Sequence, residues 1–130
     1  MGNLGRQYAL QTVHYLRKAI SFNDGASAVT TVGRLPAGAA VLRGHAVVTT
    51  AFNAGTNNNI DVGIAAASTT YTSALALTSA GVKPFTGLAT SANAVLAADT
   101  DVIVTMGLTG TAATAGAAVI VIEYVVNNDK

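Results

Sequence analysis

The side chains able to do chemistry are few and scattered. Two histidines, His14 and His45, stand 31 positions apart, without the HxH or HExxH spacing that places two imidazoles on one metal. Asp99 and Asp101 flank Thr100 as the nearest thing to a carboxylate pair, and such a DxD spacing offers oxygen ligands to Ca²⁺, with Asp61 as a third. Nothing like the twelve-residue calcium loop surrounds them, and Asp before a strand is an ordinary turn residue. A Ser-His-Asp triad assembles in space, so chain order does not exclude one, but no GxSxG nucleophile elbow exists. Cysteine is absent, so there is no thiolate nucleophile, disulfide or Cys-based metal site. The small-residue run from Gly107 to Gly116 matches neither GxxxxGK[ST] nor GxGxxG, so no phosphate cradle is indicated. The expectation is a non-enzyme without metal or cofactor.

Binding chemistry is better supplied. The first fifty residues hold Arg6, Arg17, Lys18, Arg34 and Arg43 against Asp24, whereas carboxylates outnumber lysines afterwards, giving a net charge of +1. Nucleic-acid binding needs clustered cations interleaved with aromatics, and here Arg17 and Lys18 alone adjoin, beside Tyr15. No nucleic-acid partner is expected, and the absence of an 18-residue strongly apolar run argues against a membrane span. Of the aromatic residues, Phe22, Phe52 and Tyr124 suit a core role. The polar and aromatic residues best placed for a protein interface are Arg6, Tyr8, His14, Tyr15, Arg17, Lys18, Arg43, His45, Asn57 and Asn58. Asn57 to Asn59 also provide half of a sugar-binding platform, without the clustered rings that would complete it.

These residues must be positioned by strands. The 130 residues suffice for a single core. Hydrophobic residues make up 51% and charged residues 10%, against roughly 25% charged in an ordinary soluble domain. That balance excludes intrinsic disorder and leaves too few charges to coat a free monomer, so burial within an assembly is implied. Period-2 alternation runs through Ala40 to Phe52, with Leu42, Gly44, Ala46 and Val48 on one face and Arg43, His45 and Val47 on the other. It recurs in Ile60 to Ile64 and in Asp101 to Leu108. Ala117 to Val126 is apolar on both faces except at Glu123, the pattern of a central or interface-covered strand. Asn23-Asp24-Gly25 and Leu35-Pro36-Ala37-Gly38 are turns, and Asn53 to Asn59 reads as the loop of a hairpin. Leu10 to Phe22 fits a helix or a strand, with clean alternation from Arg17 onward; Ala65 to Asp99 mixes one strand with loops and a helical turn. The fold class is all-β, a single-domain β-sandwich or jelly roll, with residues 1–16 as an N-terminal arm and residues 17–130 as the sandwich domain.

Three segments carry a resemblance: Lys18 to Asn23 (KAISFN), Val32 to Val41 (VGRLPAGAAV) and Val48 to Gly63 (VTTAFNAGTNNNIDVG). Together they resemble the small all-β decoration, or cement, proteins of tailed-bacteriophage capsids. The resemblance spans roughly residues 17 to 64 and consists of turns and short strands. It implies a structural virion protein on the outer capsid surface. Such a protein bridges and stabilises major capsid subunits, self-associates as a homotrimer more readily than as a dimer, and takes no cofactor. Similar turns occur in head fibres and tail-associated domains that bind host glycans, which is the alternative reading.

Overall fold

The computed structural model describes residues 12–89 and 95–127. Eight strands follow in chain order: β1 (His14–Ser21), β2 (Val29–Leu35), β3 (Ala40–Thr50), β4 (Asn57–Ile64), β5 (Ala67–Ala76), β6 (Gly81–Pro84), β7 (Thr100–Thr109) and β8 (Ala117–Val125). They form two four-stranded antiparallel sheets, in the orders β1-β8-β3-β6 and β2-β7-β4-β5. The ladders β1·β8, β2·β7, β3·β6 and β4·β5 pair strands from the two ends of the chain inward. This is the arrangement produced by rolling one long antiparallel hairpin into two layers, a jelly roll.

Alternation places the core between the sheets. Val102, Val104, Met106 and Leu108 of β7 and Ala118, Ile120 and Ile122 of β8 all face inward, against Ile60 and Val62 of β4, Tyr71 of β5 and Leu77 just after it. Burying each large aliphatic side chain contributes roughly 1.5–3 kcal/mol of gross stabilisation.

Three features differ from the sequence reading. The chain enters β1 at His14 rather than Arg17: His14, Tyr15 and Leu16, assigned above to the arm, pair with Tyr124, Glu123 and Ile122. The pairing along β8 extends the strand past the point where alternation fades. Second, Asn53 to Asn59 is no hairpin loop, because β3 and β4 lie in opposite sheets. The segment crosses the end of the sandwich instead. Its backbone is satisfied there by Phe52 N–H donating to the Leu77 carbonyl (2.9 Å), and by Gly55 and Thr56 donating to Thr111 and Thr109. Third, Leu42 is not on the core face. The ladder shifts between Val41↔Tyr124 and Arg43↔Glu123, so Leu42 is the extra residue of a β-bulge and is exposed. The region from Ala65 onward supplies two strands, β5 and β6, followed by a 3₁₀ turn at Gly87–Ala89.

The turns follow their residues. Ser21 caps the 3₁₀ turn Phe22–Asp24 reciprocally: its hydroxyl accepts from Asn23 N–H, and its own N–H donates to Asp24 Oδ2 at 2.8 Å. Gly38, at φ 78°, closes the Pro36 turn in a backbone region where a side chain would be strained.

Tyr71 is fully buried, and its hydroxyl has no hydrogen-bond partner among the described residues. Burial pushes the phenol above its ordinary value of 10.0. A raised folded-state pKa means that its contribution is intact below pH 10 and is lost as pH climbs from there toward the folded-state value, because the unfolded chain releases the proton first. Tyr71→Phe removes the orphaned hydroxyl. It is expected to raise stability by about 1 kcal/mol at neutral pH and to flatten the alkaline decline, as measured by urea unfolding on both sides of pH 10.

Candidate docking interface

Of the two outer faces, that of the β1-β8-β3-β6 sheet is the unusual one. Residues directly opposite in antiparallel strands share a face, so the register fixes its rows. One row is Ala19–Val119–Val47–Val82, crossing all four strands. The next is Arg17–Val121–His45–Pro84, and beyond it lies Tyr15–Glu123–Arg43. The result is an apolar stripe bordered by cations and one carboxylate. Val82 is 61% exposed and Tyr15 60%. Glu123 forms an ion pair with the exposed Arg43 guanidinium and lies largely covered beneath it.

The opposite face, on the β2-β7-β4-β5 sheet, is polar. Thr31, Arg34, Thr105, Thr109, Asn57, Asn59, Asp61 and Asp101 occupy its outward positions, together with Ile103, Gly63, Gly107 and a single exposed valine at its edge, Val29. Its carboxylates are committed. Asp101 Oδ1 accepts from Arg34 Nε at 2.7 Å, and this bond holds the Asp101 carboxyl below its ordinary value. Asp61 Oδ1 accepts at 2.7 Å from the N–H of Ala74, a residue held at φ 50° beside an irregularity in the β4·β5 ladder. Asp99 Oδ1 accepts from Ala37 N–H at 2.8 Å and anchors the Pro36 turn. The DxD spacing therefore serves a turn and an ion pair. Among the described residues no three His, Cys, Asp or Glu side chains gather as metal ligands, and no helix is long and apolar enough to cross a membrane.

The structure brings four of the sequence-derived interface residues, Tyr15, Arg17, Arg43 and His45, onto the one apolar-cationic face. It separates the others. His14 points to the core side of the same sheet, stacked on Tyr124 with ring centroids 5.6 Å apart, so the two histidines lie on opposite sides of one layer. Lys18 also sits on the core side, opposite Ile120, yet is exposed because β1 is an edge strand. Asn57 lies on the polar face. Asn58 is buried, its carboxamide accepting from Ala54 N–H at 2.6 Å and donating to the Ala54 carbonyl at 2.9 Å. Arg6 and Tyr8 lie outside the described residues.

Ala19, Val47, Val82, Val119 and Val121 were absent from the sequence-derived set. For Val119 and Val121 the signal was present in the two-sided apolar pattern of Ala117 to Val126. A pit of about 220 Å³ at the end of the sandwich is lined by Phe22, Ala26, Ala54, Leu108 and the Gly110–Ala113 loop. That lining offers shape and apolar contact, and no titratable group.

No protein-family model and no curated protein matches the chain. Solved structures do match its fold. A chain of the cyanophage Pam1 capsid asymmetric unit aligns at TM-score 0.63 and 20% identity, over 90% of this chain and 85% of that one. A chain in the capsid of Ralstonia phage GP4 aligns at TM-score 0.66 and 17% identity, over 92% and 86%. One in the acid-stable capsid of Helicobacter pylori bacteriophage KHP30 aligns at TM-score 0.59 and 14% identity, over 90% of each chain. The fold of this chain is one found in bacteriophage capsids.

Proposed function

We propose that this protein is a structural component of a bacteriophage virion, a decoration protein. It binds the outside of the capsid lattice and reinforces the head by bridging major capsid subunits. The observation that carries this reading is the apolar stripe crossing all four strands of one outer face, on a jelly roll whose fold is shared with phage capsid chains. Exposed contiguous apolar surface on a small sandwich marks an interaction site. Repeated placement across a lattice converts modest single contacts into net reinforcement. Self-association as a homotrimer, and an arm formed by the residues preceding β1, complete the proposal. Nothing in the geometry of the described residues favours glycan binding at Asn57 to Asn59, since the Asn58 carboxamide is buried and bonded to Ala54.

The test is co-sedimentation with phage shells that lack this protein, followed by heating of the decorated and bare particles. Saturable binding and a higher disruption temperature are expected. Absence of binding overturns the reading. Deleting residues 1 to 11, which leaves β1 whole, is expected to weaken binding without lowering the melting temperature of the free protein; unchanged binding would remove the arm from the proposal.

A further inference from the structure

Resting on that reading, we propose that the outer face of the β1-β8-β3-β6 sheet seats on an apolar protein surface rimmed by carboxylates. That surface belongs to another protein of the shell, not to a second copy of this chain. Charge gives the first argument. Arg17 and Arg43 border the stripe against the single carboxylate of Glu123, which Arg43 already engages. Arg17 has no acidic neighbour in its row, which continues through Val121, His45 and Pro84. A partner that covers this face gains most by placing an anion opposite Arg17.

A second copy meets that demand poorly in the two simplest arrangements. In a two-fold contact centred on β8, Arg17 and His45 flank Val121 on either side. With the two-fold axis along β8, the rotation sets Arg17 of one copy over His45 of the other and supplies no carboxylate opposite it. In a front-to-back contact the face would meet Asp61 and Asp101 of the next copy. Those carboxylates are already taken by Ala74 N–H and Arg34. The two faces are also opposite sides of one sandwich, so repeating the contact stacks copies into an open fibre rather than a closed ring.

Three strands taken at about eight residues each and the four-residue β6, about 4.8 Å apart, present about 450 Å² per partner. That total is near the lower end for a specific interface, adequate for a subunit held at many lattice positions.

Arg17→Glu combined with Val82→Glu changes two exposed positions, one on the cationic border and one in the stripe. With shells lacking the protein, wild type is expected to co-sediment. The double variant is expected to bind at least about tenfold more weakly while keeping the wild-type melting temperature and solution mass. Wild-type binding should also weaken as salt rises, and less so in Arg17→Glu alone, which carries the test if the double variant melts early. Equal binding by wild type and Arg17→Glu, with equal salt dependence, overturns the inference and leaves the decoration reading standing. A fall in solution mass in the variants assigns the face to a second copy and overturns it as well. Failure of wild type to bind any shell overturns both.

Discussion

Asn58→Ala is expected to destabilise the protein by about 2–4 kcal/mol, because it strands two backbone groups at once. The Asn58 carboxamide bridges the N–H and the carbonyl of Ala54, four residues earlier, at 2.6 and 2.9 Å. Both lie where the chain passes from one sheet to the other, and the side chain is nearly closed to solvent. A buried amide deprived of its partner retains its full desolvation cost. Asn58→Asp keeps the acceptor but loses the donor and buries a charge, so it should be no milder. Asn57→Ala, one residue away and exposed, should lie within about 0.5 kcal/mol of wild type. Urea unfolding of the three variants checks the ordering. A mild Asn58→Ala would mean that the crossover holds without its side-chain bridge.

Ile120→Ala should cost about 2–5 kcal/mol. Ile120 is fully buried on β8, flanked across the ladders by Lys18 and Ala46. Neither neighbour can fill a vacated volume: Ala46 is too small, and Lys18 would have to draw its ammonium into the core. Val121→Ala, one residue on and facing outward, should cost less than about 1 kcal/mol in the free protein, because its half-exposed side chain leaves no cavity. On the proposed decoration role, Val121→Ala should instead weaken shell binding. Thermal melts together with co-sedimentation separate the two effects.

The parts of the fold that could be read from sequence are those where alternation is uninterrupted. In β7, Val102, Val104, Met106 and Leu108 alternate with polar or less buried neighbours, and every one is buried. β8 announced its place by being apolar on both sides, and it is indeed flanked by β1 and β3. What was not legible depends on pairing. Whether β3 continues into a neighbour in its own sheet or crosses to the other is decided by distant partners such as Leu77 and Thr111, whose carbonyls receive the loop's N–H groups. Loop composition says nothing about that. The bulge at Leu42 is likewise invisible until β8 fixes the ladder on both sides of it. The interface shows the same division. Tyr15, Arg17, Arg43 and His45 were recognisable by type, but their meeting on one face required the register that sets β1 and β3 on either side of β8. Asn58 looked like an exposed loop amide because three consecutive asparagines resemble a solvated turn, yet β4 already begins at Asn57.

Lys18 has a bearing on the free subunit. Strand β1 offers an open row of peptide groups to any passing chain, and a protein with so little charge has few means of refusing one. Joining two such borders into a continuous ribbon would press an ammonium from each subunit against the aliphatic interior beside Ile120, far from water. One long cationic side chain on the inward side of the strand thus opposes edge-to-edge pairing of two copies through β1.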